Sequence, residues 1–479
     1  MHNDSFPSPK QFSRLAKVWG ISMGLIALLS VSTVRYECYL ACSDTPVEAY
    51  PALALDAYHR LWVLAPHCDD EVLGAGGLIQ AAFREGVGVR VVIVTAGDGY
   101  RRATMAEFGR ALPRPEDFVA MGDLRQRESL NALARLGLDA SDVLFLTYPD
   151  RGLPALWWDY WVEDRPYRSP YSGFEHSPYL RAVRPDAPYS GQALLHDLRN
   201  LLAADRPDLI VMPHPNDEHM DHRALAAFVS LAVELEQAED TAFQPQVLGY
   251  LVHYGLYPQP FGLKPRAFLS PPRRLESIGE WVVWRLSEEE LAGKREAVEA
   301  YRSQQRVLGY FLNSFVRQNE LFMQVESAIP LGIVEGEFLL DTDSPQTISG
   351  DVSLPGRNDP VDDNVVRRFS GGADIEGLRL LRFGDSLWVG LDLRGRASHI
   401  YKYNLYVRAV TAESSTTWSH CYGQSADDVW EHGHAVWYRF DLDAMGQPDW
   451  LVLAAETRQG LVLDRTAWYV IHIEESPLD

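Results

Sequence analysis

His67, Cys68, Asp69, Asp70 and Glu71 stand side by side, and about 150 residues on, His214, Asp217, Glu218, His219, Asp221 and His222 fall within nine positions. A His and an Asp three apart on a tight turn can converge on one metal ion. A carboxylate between them can then take a proton from the water that the metal activates. Imidazoles mixed with carboxylates favour Zn²⁺ or a similar borderline divalent ion over Ca²⁺ or Mg²⁺, which prefer all-oxygen shells. The first cluster alone reads more readily as acids capping a helix. Three His and three acids in the second are hard to explain as packing.

Each cluster follows a short apolar run. Leu61-Trp62-Val63-Leu64 is closed by Pro66, and Leu209-Ile210-Val211-Met212 runs into Pro213. Such runs read as buried strands, and a helical pattern follows each cluster. The acids therefore sit at the carboxyl edge of a sheet, where open α/β sheets bind ligands, and in helix first turns, where the dipole favours negative charge. Gly74, Gly76 and Gly77 form Gly-x-Gly-Gly rather than a dinucleotide fingerprint, and acids fill the turn a pyrophosphate would need, so no nucleotide cofactor is expected. From about 58 to 260, strands alternate with helices, which predicts an α/β fold: a Rossmann-like, mainly parallel sheet with helices on both faces. Residues 151–190 interrupt that rhythm with Trp157, Trp158, Trp161 and several Tyr among prolines. They read either as an aromatic platform over the site or as aromatics packing the insertion down. His253, on the next strand, reads as a packed or surface residue.

These residues resemble the LmbE-like or PIG-L-type zinc-dependent N-acetylglucosaminyl deacetylases, whose signatures are a strand ending in Ala-His-Pro-Asp-Asp-Glu and a downstream His-x-Asp-His. The resemblance implies His67, Asp70 and His222 as ligands of one Zn²⁺, Asp69 as the general base and His219 as the group stabilising the oxyanion. Cys68 and Met220 stand where the family often has Pro, which alters loop stiffness more than chemistry. Arg125, at the head of an Arg-x-x-Glu helix, Asp150 after Tyr148-Pro149, and Asp98 at the end of the second strand are the matching substrate-side positions. Asp221 and His214 are candidates to orient His219 or His222. Lys294 to Gln304 resembles the closing helix of the domain.

The chain of 479 residues is too long for one ordinary core. The expected division is a tail and membrane anchor at 1–45, a deacetylase-like domain at 46–335 and a β-sandwich at 336–479, read from recurrent strand-like runs separated by turns. Asp359 to Asp363 followed by Gly372 to Ile375 loosely resembles DOMON-like modules. A net charge of −22 argues against nucleic acid as a partner. Lys10, Arg14 and Lys17 precede an uncharged stretch at 18–34, favouring an uncleaved single-pass anchor over a cleaved signal and placing the rest outside the cytoplasm, periplasmic or extracellular. Cys38 and Cys42 are close enough for a local disulfide there. The expected function is de-N-acetylation of an N-acetylglucosamine-type group in an exported or envelope glycan. The alternatives are an amidase on a non-sugar amide and a membrane-tethered glycan-binding protein; the spare carboxylate of Asp69 argues against the latter.

Overall fold

The computed structural model describes residues 35–36, 38–333, 352–353, 370–411, 418–422 and 429–474. The expected helix at 18–34 and the acidic run at 359–363 lie outside these residues. Among the described residues, no helix is long and apolar enough to cross a membrane.

The first domain is built on strands β1 (Arg60–Ala65), β2 (Gly88–Thr95), β3 (Val143–Tyr148), β4 (Leu209–Pro213), β5 (Gln246–Tyr250), β6 (Trp281–Arg285) and β7 (Asn319–Gln324). Their order is β3-β2-β1-β4-β5-β7-β6. The first five are mutually parallel, and β7 runs antiparallel to both β5 and β6. Eight helices accompany them: α1 (Asp70–Arg84), α2 (Arg101–Phe108), α3 (Pro115–Arg135), α4 (Leu153–Trp158), α5 (Gly191–Asp205), α6 (Met220–Glu239), α7 (Glu288–Ala300) and α8 (Arg302–Leu312). From Leu61 to Ala65 strand β1 is apolar and buried because it is covered on both sides. Leu61, Val63 and Ala65 pack with α1, α3 and α7, whereas Trp62 and Leu64 pack with α5 and α6. Strand order reverses at β1, which pairs with β2 on one side and β4 on the other, so the two clusters emerge side by side at the switch point of the sheet.

Helix α1 is bent at Ala75, whose backbone leaves the helical region. The cause is a fully buried ion pair inserted into its ladder. Lys294 Nζ reaches Glu320 Oε1 at 2.6 Å and donates to Leu73 O at 2.9 Å. The backbone N–H groups of Gly77 and Leu78, which would otherwise bond back along the helix, donate to the two Glu320 oxygens at 2.7 and 2.8 Å. Gly74 is required beside the bend because a side chain there would run into the Tyr250 ring. Removing one partner strands the other charge in the core. Lys294→Met is therefore expected to destabilise the domain by about 3–5 kcal/mol, read as a lower denaturation midpoint, with part of the loss recovered in Lys294→Met/Glu320→Gln.

The C-terminal region forms two further sheets. One has the order β14 (Val429–His432), β15 (Ala435–Asp441), β11 (Ser386–Leu393), β10 (Ile375–Phe383), β9 (Val352–Ser353). The other runs β13 (Trp418–Tyr422), β12 (Lys402–Val410), β16 (Trp450–Gln459), β18 (Tyr469–Ile473), β8 (Ile329–Leu331), with β17 (Leu461–Arg465) on β16. Their inner faces meet in one apolar cluster that includes Leu380, Val389, Leu405, Leu453 and Ile471. Strand β8 precedes residue 335, so the chain joins this layer earlier than its change of composition suggests. Parallel pairing of Ile329–Leu331 with Ile471–Ile473 draws it in.

The two regions are bonded to each other: Arg408 Nε donates to Trp157 O at 2.7 Å and Arg223 Nη1 to Thr466 O at 2.8 Å. Within the insertion, Trp157 and Trp161 are buried against Phe228, so these two rings are core. Cys38, Cys42 and Cys68 are free thiols, and the disulfide considered for Cys38 and Cys42 is not formed. Cys42 Sγ instead faces Gln259 O at 3.6 Å.

Candidate metal centre

The turn after β1 delivers three acids in three directions. Asp70, the first residue of α1, points back across the turn. Its Oδ2 lies 3.0 Å from His67 Nδ1 and 3.1 Å from His222 Nε2. One carboxylate oxygen thus touches an imidazole from each cluster. Donor atoms bound at about 2.1 Å to a tetrahedral ion lie about 3.4 Å apart, close to these separations. His222 Nε2 is buried and has no aligned hydrogen bond although Asp70 is near, as expected of a lone pair aimed at an ion. Three overlapping groups can hold a metal among the described residues: His67, His219 and His222; Asp70, His222 and His253; and His67, Asp150 and Asp221. The charge balance points the same way. Asp69, Asp70, Asp150, Asp217 and Asp221 are all buried here, against two buried arginines: Arg125 beside Asp69 and Arg223, which donates to Asp217 O.

These contacts set the titration of the groups. Burial opposes ionisation of Asp70, but His222 and His67 hold its carboxyl well below the ordinary range. Against burial, Asp217 and Asp70 raise His222 to about 9. Against burial likewise, Asp150, Asp221 and Asp70 raise His67 well above its usual value. A divalent cation bound here would take the place of those protons, because ligand imidazoles must be neutral.

Asp69 sits at the helix N-cap position, yet its side chain makes no capping bond and is turned instead to Arg125, 3.2 Å away. Its backbone is strained, with φ of 135° in a non-glycine residue. That conformation is held from behind: Asp69 N–H donates to Glu71 Oε2 at 2.9 Å, and Tyr301 O–H donates to Glu71 Oε1 at 2.5 Å. Burial pushes the Asp69 carboxyl up to about 8; Arg125 opposes the rise, and Asp70 and Glu71 add to it.

The other expected residues fall in and around this centre. His219 packs edge-on to His67 with ring centroids 4.7 Å apart. Asp221 accepts from the backbone of Arg151 and Leu153 at 2.7 and 3.2 Å, and its Oδ2 lies 3.2 Å from His67 Nε2. It therefore braces His67 through its carboxylate, rather than His219 or His222. Asp150 accepts from Gly99 N–H at 2.6 Å and lies 3.3 Å from His67 Nε2. Arg125 is buried: it donates to Gly97 O at 2.7 Å and Cys68 O at 2.6 Å, and lies 3.2 Å from Asp69 Oδ2. Gly97 has positive φ, and any side chain there would collide with that guanidinium. Asp98 accepts from Tyr179 O–H at 2.8 Å, while its Oδ1 is buried without a partner and burial beside Asp150 lifts its carboxyl to about 7. His214 stands apart: its ring stacks on Trp281 with centroids 5.4 Å apart, its Nε2 meets Met323 Sδ at 3.2 Å, and its Nδ1 accepts from Asn216 N–H at 2.9 Å.

Two residues take up roles the sequence did not assign them. Asp217 Oδ2 lies 3.2 Å from His222 Nδ1 and accepts from Val252 and His253 N–H at 3.0 and 2.9 Å, while its Oδ1 accepts from His219 N–H at 2.9 Å. The Asp217 carboxylate thus faces the far nitrogen of His222, where a ligand imidazole needs its orienting partner. Asp217→Asn is expected to weaken metal binding about 10- to 100-fold, read by competition with a chelator. His253, beyond the end of β5, comes within 5.0 Å of His222 ring to ring and stacks on Phe311 at 5.6 Å. In sequence it reads as a His within the next strand, but that strand ends at Tyr250 and leaves His253 on the loop beyond it.

Residues 62–233 match the family model described as PIG-L: GlcNAc-PI de-N-acetylase. The 1D-myo-inositol 2-acetamido-2-deoxy-alpha-D-glucopyranoside deacetylases of Mycobacterium sp. strains KMS and JLS are each 31% identical over 186 residues, covering 37% of this chain and 51% of theirs. The chain thus spans about half the length of these curated relatives. Among solved structures, the N,N'-diacetylchitobiose deacetylase of Pyrococcus horikoshii aligns at 17% identity and a TM-score of 0.36, over 57% of this chain and 86% of that one. The conserved protein TT1542 of Thermus thermophilus aligns at 21% identity and a TM-score of 0.32, over 56% and 94%.

Proposed function

We propose, from the premise that residues 62–233 carry a domain of the PIG-L family, that this protein is a metal-dependent hydrolase that removes the acetyl group from an N-acetylglucosamine-type sugar. The observation that carries this reading is Asp69. A strained, buried carboxylate with no capping role stands beside a cluster of metal-donor atoms and belongs to none of the groups that could hold the ion. A structural site has no use for such a group.

We assign His67, Asp70 and His222 as the residues that hold the ion: they span two of the overlapping groups and are linked by Asp70 Oδ2, 3.0 Å from His67 Nδ1 and 3.1 Å from His222 Nε2, with Zn²⁺ favoured by two imidazoles and a carboxylate. The ion, when bound, polarises the acetamide carbonyl and makes the attacking water more acidic. Asp69 takes the proton of that water and returns it to the departing amine. His219 donates to the oxyanion that forms. Asp217 and Asp221 orient His222 and His67, Arg125 steadies Asp69, and the unpartnered Asp98 Oδ1 faces the sugar side. The sandwich and the basic-flanked apolar stretch at 18–34 support an anchored enzyme facing an envelope or exported glycan outside the cytoplasm.

The test is acetate release by the full-length chain from N-acetylglucosamine, its oligomers and its inositol conjugate, alongside metal analysis. Release with about one metal per chain, abolished by chelation and restored by Zn²⁺, is the expected result. Bound metal with no acetate from any of these, but with cleavage of non-sugar acetamides, would replace the substrate.

A further inference from the structure

A cleft of about 590 Å³ opens between the two regions beside the metal centre. From the first domain it is lined by Arg151, Trp158 and Met220, and from the C-terminal sheets by Tyr406, Glu456 and Arg465. Its inner end is fixed to the centre itself. Arg151 follows Asp150 and gives its N–H to Asp221, and Met220 lies between His219 and Asp221. Arg151 adopts φ of 59°, a costly conformation for a side-chain-bearing residue. Its side chain is exposed and makes no ion pair among the described residues.

The lining has the chemistry of sugar recognition. Trp158 is half-buried, with Tyr406 and Trp468 packed around it at centroid distances of 5.3 and 5.1 Å. Fixed polar groups stand next to these rings: Glu456 accepts from Tyr406 O–H at 2.9 Å and Asn404 Nδ2 at 3.1 Å and lies 3.4 Å from Arg465 Nε. Aromatic rings beside bidentate acceptors and donors suit the apolar faces and hydroxyl edges of pyranoses. Arg151 and Arg465 balance Asp159 and Glu456 across the cleft, which favours a neutral chain over a phosphorylated or acidic one. An acyl chain would need a lining without these charges.

We infer that this cleft binds the sugar units next to the one being deacetylated, so that the C-terminal sheets set a preference for an oligosaccharide over a single sugar or disaccharide. The inference rests on the N-acetyl-sugar reading above. It assigns the second domain a direct part in substrate binding.

The experiment compares the dimer and hexamer of N-acetylglucosamine on the full-length chain carrying Asp69→Asn, which leaves the ligand intact, with binding followed by calorimetry. The hexamer is expected to bind about tenfold more tightly than the dimer. Arg465→Ala, a change at a partly exposed side chain, and Trp158→Ala should each remove most of that advantage and leave dimer affinity unchanged. Equal binding of the two lengths, or an advantage that survives both substitutions, overturns the cleft assignment. If Trp158→Ala fails to fold, Arg465→Ala alone decides. Length-dependent binding without acetate release in the unsubstituted protein would keep the cleft and overturn the deacetylase reading. Acetate release with no dependence on length would do the reverse.

Discussion

Asp69→Asn is expected to lower kcat by about 10²- to 10⁴-fold while metal content stays at the unsubstituted level. The chain of reasoning starts at the turn after β1. Asn has the shape of Asp and can keep the contact with Arg125, so the strained turn and the Glu71 and Tyr301 bonds behind it should persist. What is lost is the capacity to take a proton. Asp69 belongs to none of the groups that can hold an ion, so chelator titration should not distinguish the variant from its parent. Loss of metal in Asp69→Asn would instead make it a ligand and remove the base from the mechanism. The pH profile gives a second check. A general base works only when unprotonated, so kcat should rise with pH as Asp69 ionises. Burial carries that carboxyl up to about 8, and a neighbouring divalent cation pulls it back down, so the rising limb belongs below pH 8. That limb should vanish in Asp69→Asn.

The centre was legible because both clusters end apolar strands, and the parallel pairing of β1 with β4 brings those strand ends together. His67, Asp69, Asp70, His219 and His222 do meet at one end of the sheet. The orienting groups were harder to read because they depend on a loop and not on a repeat. Asp217 and Asp221 differ by four positions within the same acidic run. Only the loop before α6 and the first turn of that helix bring Asp217 to His222 and Asp221 to His67. His214 could not be separated from its neighbours in sequence, since Trp281 and Met323, which claim its ring, come from β6 and β7 much later in the chain. Arg125 reads in sequence as a substrate-side residue, but two backbone carbonyls at the strand ends use its guanidinium. The antiparallel β7 and the early entry of β8 into the C-terminal layer carry no local signal, because both are set by which edge is left to pair.

His219→Ala should cost about 10²- to 10³-fold in kcat with little change in KM, because the group acts where charge develops. The direction of its hydrogen bond fixes its role. Asp221 N–H donates to His219 Nδ1 at 3.3 Å, so in the neutral ring the proton is carried on Nε2, the nitrogen left to face substrate. Burial, together with the charges of His67, His222 and His253, holds its pKa well below the ordinary value, and a bound cation pushes in the same direction. The ring therefore stays neutral through the working pH range and serves as a hydrogen-bond donor, leaving Asp69 as the group that exchanges protons. Metal content separates this role from the other one the geometry permits. His219 also lies in a group with His67 and His222 that could hold an ion. If His219→Ala keeps its metal and loses kcat, the oxyanion assignment stands. If it loses the metal, His219 is a ligand, and the donor facing the oxyanion must be sought in His253, whose ring lies 5.4 Å away.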